Sequence, residues 1–292
     1  MAITKTNLKL KKQYSECKGF GDYEVIVDIV KEMFCVKIMT SNIWGDYFGN
    51  KVEPRKDTFI EFFLKSTPDI LGIQEYTPGW YDTDMLVQLS DIYTTIGESG
   101  TNNNFVPLLI KTDKFNIVES GYEAYADTPD VSKGITYAVL SEKGSDKKLL
   151  VCNTHFWWMT GEEHDKLRCQ NARQLIALMK KLCEKHSVFG FAFGDLNTKI
   201  ESDAMQSLIN GGLSLLIEKA EKADRVSSHH GDPKKVGDDK YVGRRTDNDY
   251  THSIDHILSY SFEGKVKEYR IVEEQALLDV TDHSPVFAEI DF

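Results

Sequence analysis

Short apolar runs recur along the chain, and Gly, Pro, Asn and Asp residues lie between them. Runs of this kind, bounded by turn-forming residues, are typical of buried β-strands. They predict strands at residues 36–39, 70–73, 105–110, 135–140, 149–153, 188–193, 254–258, 266–271 and 286–290. The tetrapeptide 143–146, Lys-Gly-Ser-Asp, separates two of these strands as the turn of a hairpin does.

Three segments instead repeat their apolar residues with the period of an α-helix. Residues 165–185 show this most clearly, and residues 55–64 and 202–209 are the other two predicted helices. The polar segment 224–250 predicts a long surface loop. Many strands without an alternating βαβ rhythm predict stacked sheets flanked by helices, so we expect one α+β domain over residues 35–292. Residues 1–34 are interpreted as an N-terminal extension.

Composition places the 292-residue chain among ordinary globular proteins, since 41% of its residues are hydrophobic and 28% are charged. No run of about 18 apolar residues is available to span a membrane, and the N-terminus lacks the apolar stretch of a secretory signal. Five cysteines, none in a CxxC spacing, indicate reduced thiols and argue against a zinc site. We therefore expect a cytoplasmic, monomeric protein.

The net charge of −11 narrows the range of partners. Binding of long nucleic acid mainly through charge needs clustered Lys and Arg, which an acidic chain of this kind does not supply. An enzyme that holds a single phosphate through a metal remains compatible with this charge, because acidic clefts bind divalent cations.

Small polar clusters lie where the predicted strands begin or end, and such clusters can converge on one edge of a β scaffold. The residues concerned are Asn42, Glu75, Asn153, His155, Asp195, Asn197, Asp255, Asp282 and His283. Their carboxylate and amide oxygens suit Mg²⁺ or Mn²⁺, which keep several waters and bridge to phosphate oxygens. Two of them, His155 and His283, could then handle protons or bind the phosphoryl oxygens.

Six short motifs give these clusters a family resemblance. They are TSNIW (40–44), GIQE (72–75), NTH (153–155), GDLN (194–197), SIDHIL (253–258) and TDHSP (281–285). In this order, each beside a strand, they resemble the endonuclease/exonuclease/phosphatase superfamily of DNase I-like phosphoesterases, over residues 36–292. The resemblance implies a four-layer α/β sandwich, in which two packed, mainly antiparallel β-sheets are flanked by helices.

The resemblance also implies a role for each matching position. The metal-site residues are Asn42, Glu75 and Asp282, with Mg²⁺ or Mn²⁺ as the cofactor. The catalytic candidates are His155 at the scissile phosphate, Asp195 at the attacking water, Asn197 at phosphate and nucleophile, and His283 with its partner Asp255. Asn153 and Arg168 are the substrate-binding candidates, although Arg168 could equally anchor a carboxylate or be exposed. Trp44 stands where some members carry an acidic residue, which favours a single metal.

Other conspicuous residues have a structural interpretation that competes with a functional one. His229 and His230 are expected in a solvated loop, and His252 and His256 are expected to be structural. The pair Trp157-Trp158 could stack on substrate or pack in the core, and the same alternatives hold for Trp80 and Tyr81.

The preferred function is that of a Mg²⁺-dependent phosphoesterase that hydrolyses a phosphodiester or phosphomonoester by in-line attack of water. The substrate is a phosphate ester whose class stays open: nucleic acid, nucleotide, lipid head group or sugar phosphate. The alternative is a catalytically idle binding scaffold of the same fold. No GxSxG elbow of an acyl hydrolase and no GK[ST] phosphate loop occurs in the sequence.

Overall fold

The described part of the chain, residues 34–97 and 104–292 of this computed structural model, forms two large β-sheets and one short ribbon. Its strands are β1 Cys35–Asn42, β2 Ile70–Gln74, β3 Tyr93–Ile96, β4 Leu108–Lys111, β5 Phe115–Ala124, β6 Gly134–Glu142, β7 Lys148–His155, β8 Gly190–Asp195, β9 Leu213–Leu215, β10 Ala220–Ala223, β11 Lys234–Lys235, β12 Tyr241–Val242, β13 Asp255–Tyr260, β14 Lys265–Ile271 and β15 Val286–Asp291.

The two sheets are mixed but mainly antiparallel. The first has the strand order β10-β14-β15-β1-β2-β4-β3, and the second has the order β5-β6-β7-β8-β13-β9. Among the described strands, three neighbouring pairs are parallel: β1–β2, β10–β14 and β7–β8. The ribbon of β11 and β12 lies in the segment predicted as a surface loop.

Helices cover the outer faces of both sheets. They are α1 Glu53–Ser66, α2 Pro78–Tyr81, α3 Met85–Leu89, α4 Glu162–His186, α5 Asp203–Asn210, α6 Leu216–Lys219 and α7 Gln275–Leu278, with 3₁₀ turns at Tyr47–Gly49 and Tyr250–His252. Phe59 and Phe63 of α1 are fully buried in one cluster with Met39 and Leu71 of the first sheet. On the second sheet, α4 lies against β6 and β7. The predicted four-layer sandwich is confirmed.

The inner faces of the two sheets meet closely beside the polar strand ends. A Cβ atom on Gly72 of β2 would lie 2.5 Å from the ring of Phe193 on β8, so only glycine fits there. Gln74 Nε2 donates to Asn153 Oδ1 at 2.5 Å, which links β2 to β7. The contact fixes the strand ends of one sheet relative to those of the other.

The three predicted helices correspond to α1, α4 and α5, and the nine predicted strands to β1, β2, β4, β6, β7, β8, β13, β14 and β15. The predicted extension 1–34 lies almost wholly outside the described residues, so the division of the chain at residue 34 stays a prediction. Four of the five cysteines are described, and their thiols are free. No helix among the described residues has the length and apolar character needed to cross a bilayer.

Candidate active site

Strand ends from both sheets meet at one edge of the sandwich. In the second sheet, His155 ends β7 beside Asp195 at the end of β8, and Asp255 opens β13 opposite Asp195. In the first sheet, Asn42 ends β1 next to the end of β2, which Glu75 follows directly. Within each sheet, the strand register therefore places these residues side by side.

Asp195 lies at the centre of the cluster, and its side chain is 2% exposed. Its Oδ2 accepts a hydrogen bond from Asn42 Nδ2 at 3.0 Å, and its Oδ1 accepts one from the backbone N–H of Asn197 at 2.8 Å. Oδ2 also lies 3.3 Å from His155 Nε2 and 3.8 Å from His283 Nε2. Burial alone would raise the pKa of Asp195, but the two histidines and the backbone N–H of Asn197 hold it well below its ordinary value.

His283 is oriented by a buried carboxylate. Its Nδ1 lies 2.8 Å from Asp255 Oδ2, which also accepts a hydrogen bond from the Ser228 hydroxyl at 2.7 Å. Burial opposes the charged imidazolium, yet the carboxylates of Asp255, Asp282 and Asp195 raise the pKa of His283 well above its ordinary value. The ring is therefore held as a cation with Nε2 directed toward Asp195.

Glu75 accepts hydrogen bonds from residues at and just after the end of β1. Its Oε1 accepts from Asn42 Nδ2 at 3.1 Å, and its Oε2 accepts from the backbone N–H of Gly45 at 2.7 Å. Asn42 Oδ1 accepts from the backbone N–H of Trp44 at 3.0 Å. In this arrangement the Asn42 amide nitrogen holds two carboxylates. Asn42 therefore positions Glu75 and Asp195, and its predicted place among the metal-site residues stays a prediction.

Asp282 lies on the other side of the same cluster. Its carboxylate oxygens lie 3.8 Å from His283 Nε2 and 3.7 Å from His229 Nε2. Burial would raise the pKa of Asp282, but the two neighbouring histidines lower it. The Oδ1 atom is buried and has no hydrogen-bond partner among the described residues. A buried anionic oxygen without a partner costs free energy unless a cation or a donor completes its environment.

Glu75, His155, Asp195, His229, Asp282 and His283 line one cavity of about 1130 Å³, which we call the active-site cavity. Four of its lining residues, Trp44, Phe48, Glu75 and Asn197, adopt positive φ angles of 56°, 57°, 60° and 46°. Non-glycine residues in this region carry strain, which the surrounding structure must hold in place. Four of the seven described non-glycine residues with positive φ therefore line the cavity.

The donor set fits a hard divalent cation. The carboxylate oxygen of Glu75, a ring nitrogen of His155 and an oxygen of Asp195 lie within 4.8 Å of one another, as do the corresponding atoms of His229, Asp282 and His283. Glu75 and Asp282 supply the anionic oxygens that Mg²⁺ and Mn²⁺ prefer, and the partnerless Oδ1 of Asp282 is consistent with this use.

The two predicted substrate-binding residues lie away from the cavity. Asn153 is 0% exposed, and its Nδ2 contacts the carbonyls of Ile73, Val106 and Pro107 at 2.8–3.0 Å. Because its amide is fully used between the sheets, it has no group left for substrate. Arg168 donates from Nη1 to the carbonyls of Trp157 and Met159. It supports the segment after β7, so both predictions are corrected to structural roles.

The structure also shows which of the remaining conspicuous residues line the cavity and which have structural contacts. Trp157 is buried, with Nε1 donating to His164, whereas Trp158 is 52% exposed and lines the cavity. His256 is buried, and its Nε2 lies 2.8 Å from the Thr198 carbonyl, in agreement with a structural role. His229, predicted to be in a solvated loop, lines the cavity instead, because it forms an isolated β-bridge with His283.

Sequence reasoning missed Lys133. This residue is 4% exposed, lines the active-site cavity and has its Nζ 2.9 Å from His155 Nε2. The only signal in the sequence is its position two residues before the strand predicted at 135–140, which by itself does not indicate a site.

A family model with the description "Endonuclease/Exonuclease/phosphatase family" matches residues 39–283. The chain therefore belongs to the endonuclease/exonuclease/phosphatase family, whose members are hydrolytic phosphoesterases. No curated protein sequence matches the chain.

Solved structures of low sequence identity share the fold. A family protein from Bacteroides thetaiotaomicron is 20% identical, with a TM-score of 0.69 over 89% of this chain and 99% of that one. A mannosyl-6-phosphatase from the same organism is 20% identical, with a TM-score of 0.65 over 88% and 100% of the two chains. Truncated TDP2 from Caenorhabditis elegans is 18% identical, with a TM-score of 0.65 over 88% and 98%.

Proposed function

We propose that the protein is a divalent-metal-dependent phosphoesterase that hydrolyses a phosphate ester by in-line attack of water. One observation carries this proposal: buried Asp195 lies between His155 and His283 in a cavity that Glu75 and Asp282 also line. Acids and imidazoles packed this closely are costly to a fold, and such groups concentrate at functional sites.

Glu75 and Asp282 would hold the cation through their carboxylate oxygens. When bound, Mg²⁺ or Mn²⁺ supplies positive charge that neutralises phosphate oxygens. The residues of the chain then act on water and phosphate. Asp195 stays ionised because its pKa is lowered, so it accepts a hydrogen bond from the attacking water and orients it. A carboxylate of lowered pKa is a weak base, which favours orientation of the water over its deprotonation.

His283 would stabilise the charge that grows on the phosphate. Its imidazolium is held by Asp255 through Nδ1, which leaves Nε2 to donate toward a phosphate oxygen. The rigid backbone of Asn197, bonded to Asp195 and through its side chain to the Phe156 carbonyl at 3.2 Å, keeps the adjacent wall in place. Donors fixed before the reaction are worth more than mobile ones, because no reorganisation is needed in the transition state.

The charge of the site favours a small ester with a single phosphate over duplex nucleic acid. The cavity lining carries five carboxylates, from Glu75, Asp130, Asp195, Asp232 and Asp282. Together with the net charge of −11, they would repel a substrate that bears further phosphates away from the metal.

Aromatic side chains on the same cavity would contact the remainder of such an ester. Phe48 and Trp158 are 96% and 52% exposed there. One of the similar structures is named a mannosyl-6-phosphatase, an enzyme whose name indicates a substrate with one phosphate. This similarity supports the proposal at the level of reaction class.

A substrate panel tests the proposed function. The purified full chain is assayed with Mg²⁺, with Mn²⁺ and with excess EDTA against 4-nitrophenyl esters, nucleotides, single-stranded and duplex DNA, sphingomyelin, inositol phosphates and sugar phosphates. We expect metal-dependent hydrolysis of at least one ester and a loss of at least about 10²-fold in Asp195→Asn. Asp146→Asn, in the exposed turn between β6 and β7, is the matched control. If no ester is turned over in any metal, the alternative of an idle binding scaffold replaces the proposal.

A further inference from the structure

Lys133 is placed beside the catalytic end of β7 by sheet register. Gly134, the first residue of β6, pairs with His155 at the end of β7, so the residue before Gly134 lies next to the imidazole. The Nζ of Lys133 is 3.0 Å from His155 Nδ1 and 2.9 Å from Nε2. His155 Nε2 in turn lies 3.3 Å from Asp195, so the lysine belongs to the same contact chain as the carboxylate at the centre of the site.

The Nζ of Lys133 is buried without a carboxylate partner. Among the described residues no carboxylate forms an ion pair with Lys133, and its Nζ contacts the two ring nitrogens of His155. Burial lowers the pKa of Lys133, while the carboxylates of Glu75, Asp195 and Asp130 act on it from a greater distance in the opposite direction. A buried cation that lacks an oxygen acceptor is unfavourable for the fold and is a good partner for an arriving anion.

The cavity lining contains few other positively charged side chains that could contact a bound anion. Of the described residues that line the cavity, only Lys133 and Lys235 are lysines, and no arginine lines it. Lys235 is exposed on β11, whereas Lys133 is buried next to His155. Apart from the histidines, Lys133 is therefore the buried positive side chain of the described lining that can meet a phosphate.

We propose that Lys133 is a further catalytic residue, whose Nζ donates a hydrogen bond to a non-bridging oxygen of the scissile phosphate. This inference rests on the proposed phosphoesterase function. A phosphate oxygen is a stronger acceptor for an ammonium than an imidazole nitrogen, because both partners are charged. The contact offsets the burial of the lysine and adds positive charge on the side of the phosphate that faces His155.

A direct contact between Lys133 and the phosphate should depend on the charge of the substrate, whereas a positioning role should not. A phosphomonoester is a dianion near neutral pH and a phosphodiester is a monoanion, so removal of the ammonium must harm the monoester more. If Lys133 acted only by holding His155 in place, both esters would lose the same factor. The substrates 4-nitrophenyl phosphate and methyl 4-nitrophenyl phosphate separate the two cases, because they share one leaving group and one colorimetric product.

The experiment compares wild type, Lys133→Met, Lys133→Gln, Lys133→Arg and the control Lys148→Met, an exposed lysine at the opposite end of β7. We expect Lys133→Met and Lys133→Gln to lower kcat/KM about 100-fold for the monoester and about 10-fold for the diester. Lys133→Arg should recover part of the loss, because it restores the charge with a different shape. Calorimetric binding of inorganic phosphate in the presence of Mg²⁺ should weaken by at least about 10-fold in the two neutral variants.

The phosphate titration keeps this inference separable from the proposed function. If wild type hydrolyses esters but the neutral variants lose the same factor on both substrates and bind phosphate as wild type does, the phosphate contact is overturned. If wild type hydrolyses no ester, the proposed function fails, and weaker phosphate binding in Lys133→Met would still support Lys133 as the anion contact. Thermal unfolding of each variant shows that it is folded, and Lys133→Gln serves if Lys133→Met does not fold.

Discussion

The contact between His283 and Asp255 can be broken in a way that separates charge from geometry. Asp255→Asn keeps an oxygen acceptor for Nδ1 at the observed 2.8 Å but removes the negative charge. A hydrogen bond to a charged group is worth about 1.5–3 kcal/mol and one between neutral groups about 0.5–1.5 kcal/mol. The midpoints of these ranges differ by about 1.25 kcal/mol. Because the imidazolium acts in the transition state, this difference corresponds to a loss of roughly 8-fold in kcat.

Removal of the ring itself should cost more. His283→Ala deletes the donor directed at the phosphate, so we expect kcat to fall by at least about 10²-fold while KM stays within a few-fold. The double variant should cost little more than His283→Ala, because the Asp255 carboxylate acts through the ring. Multiplication of the two single losses, or an effect of His283→Ala mainly on KM, would refute a role of the pair as one unit.

The pH profile gives a second readout of the same pair. The active form of His283 is the protonated ring, so kcat should fall as pH rises through the raised pKa of His283. Asp255→Asn removes one of the three carboxylates that raise this pKa, and the basic limb should therefore move to lower pH. Stability follows the same sign: the raised pKa contributes stability below the ordinary histidine pKa, and the contribution is lost as pH rises through the folded-state value. An unchanged basic limb in Asp255→Asn would assign that limb to another group.

Two further predictions concern the stability of the fold and the state of the cysteines. Asn153→Ala should lower the free energy of unfolding by about 3 kcal/mol or more, because it leaves buried backbone carbonyls and the Gln74 side chain without partners. Urea denaturation measures this free energy, and a change below about 1 kcal/mol would contradict the structural role. All five thiols should react with a thiol reagent in the denatured protein without reductant, since the described cysteines are free; fewer reactive thiols would reveal a disulfide.

The sequence predicts most of the central architecture, because buried strands carry continuous apolar runs. Edge strands behave differently. β5 is an edge strand of the second sheet, and its sequence FNIVESGYEA alternates buried or half-buried with exposed positions. It contains no apolar run long enough to stand out, and it was missed for that reason.

The residues of the candidate site also differ in how far the local sequence predicts their positions. Residues that follow a recognisable strand, such as Glu75 and Asp195, could be predicted from local sequence. Asn153 follows the same pattern, but its side chain is directed between the sheets, and only the packing of β2 against β7 shows this. Lys133 reaches the site through strand pairing between β6 and β7, and pairing partners cannot be read from one segment alone.

The most direct test of the account is metal dependence that acts through Glu75. An ester hydrolysed by wild type is assayed while Mn²⁺ is titrated, and Mn²⁺ binding is measured by calorimetry in wild type, Glu75→Gln and Glu221→Gln, an exposed control on β10. Glu75→Gln keeps the size of the side chain but removes the charge that a hard cation requires. We expect it to lose at least about 10²-fold in activity and to bind Mn²⁺ at least about 10-fold more weakly, with thermal stability close to that of wild type. Full activity of wild type in excess EDTA, or wild-type Mn²⁺ binding by Glu75→Gln, would contradict the account.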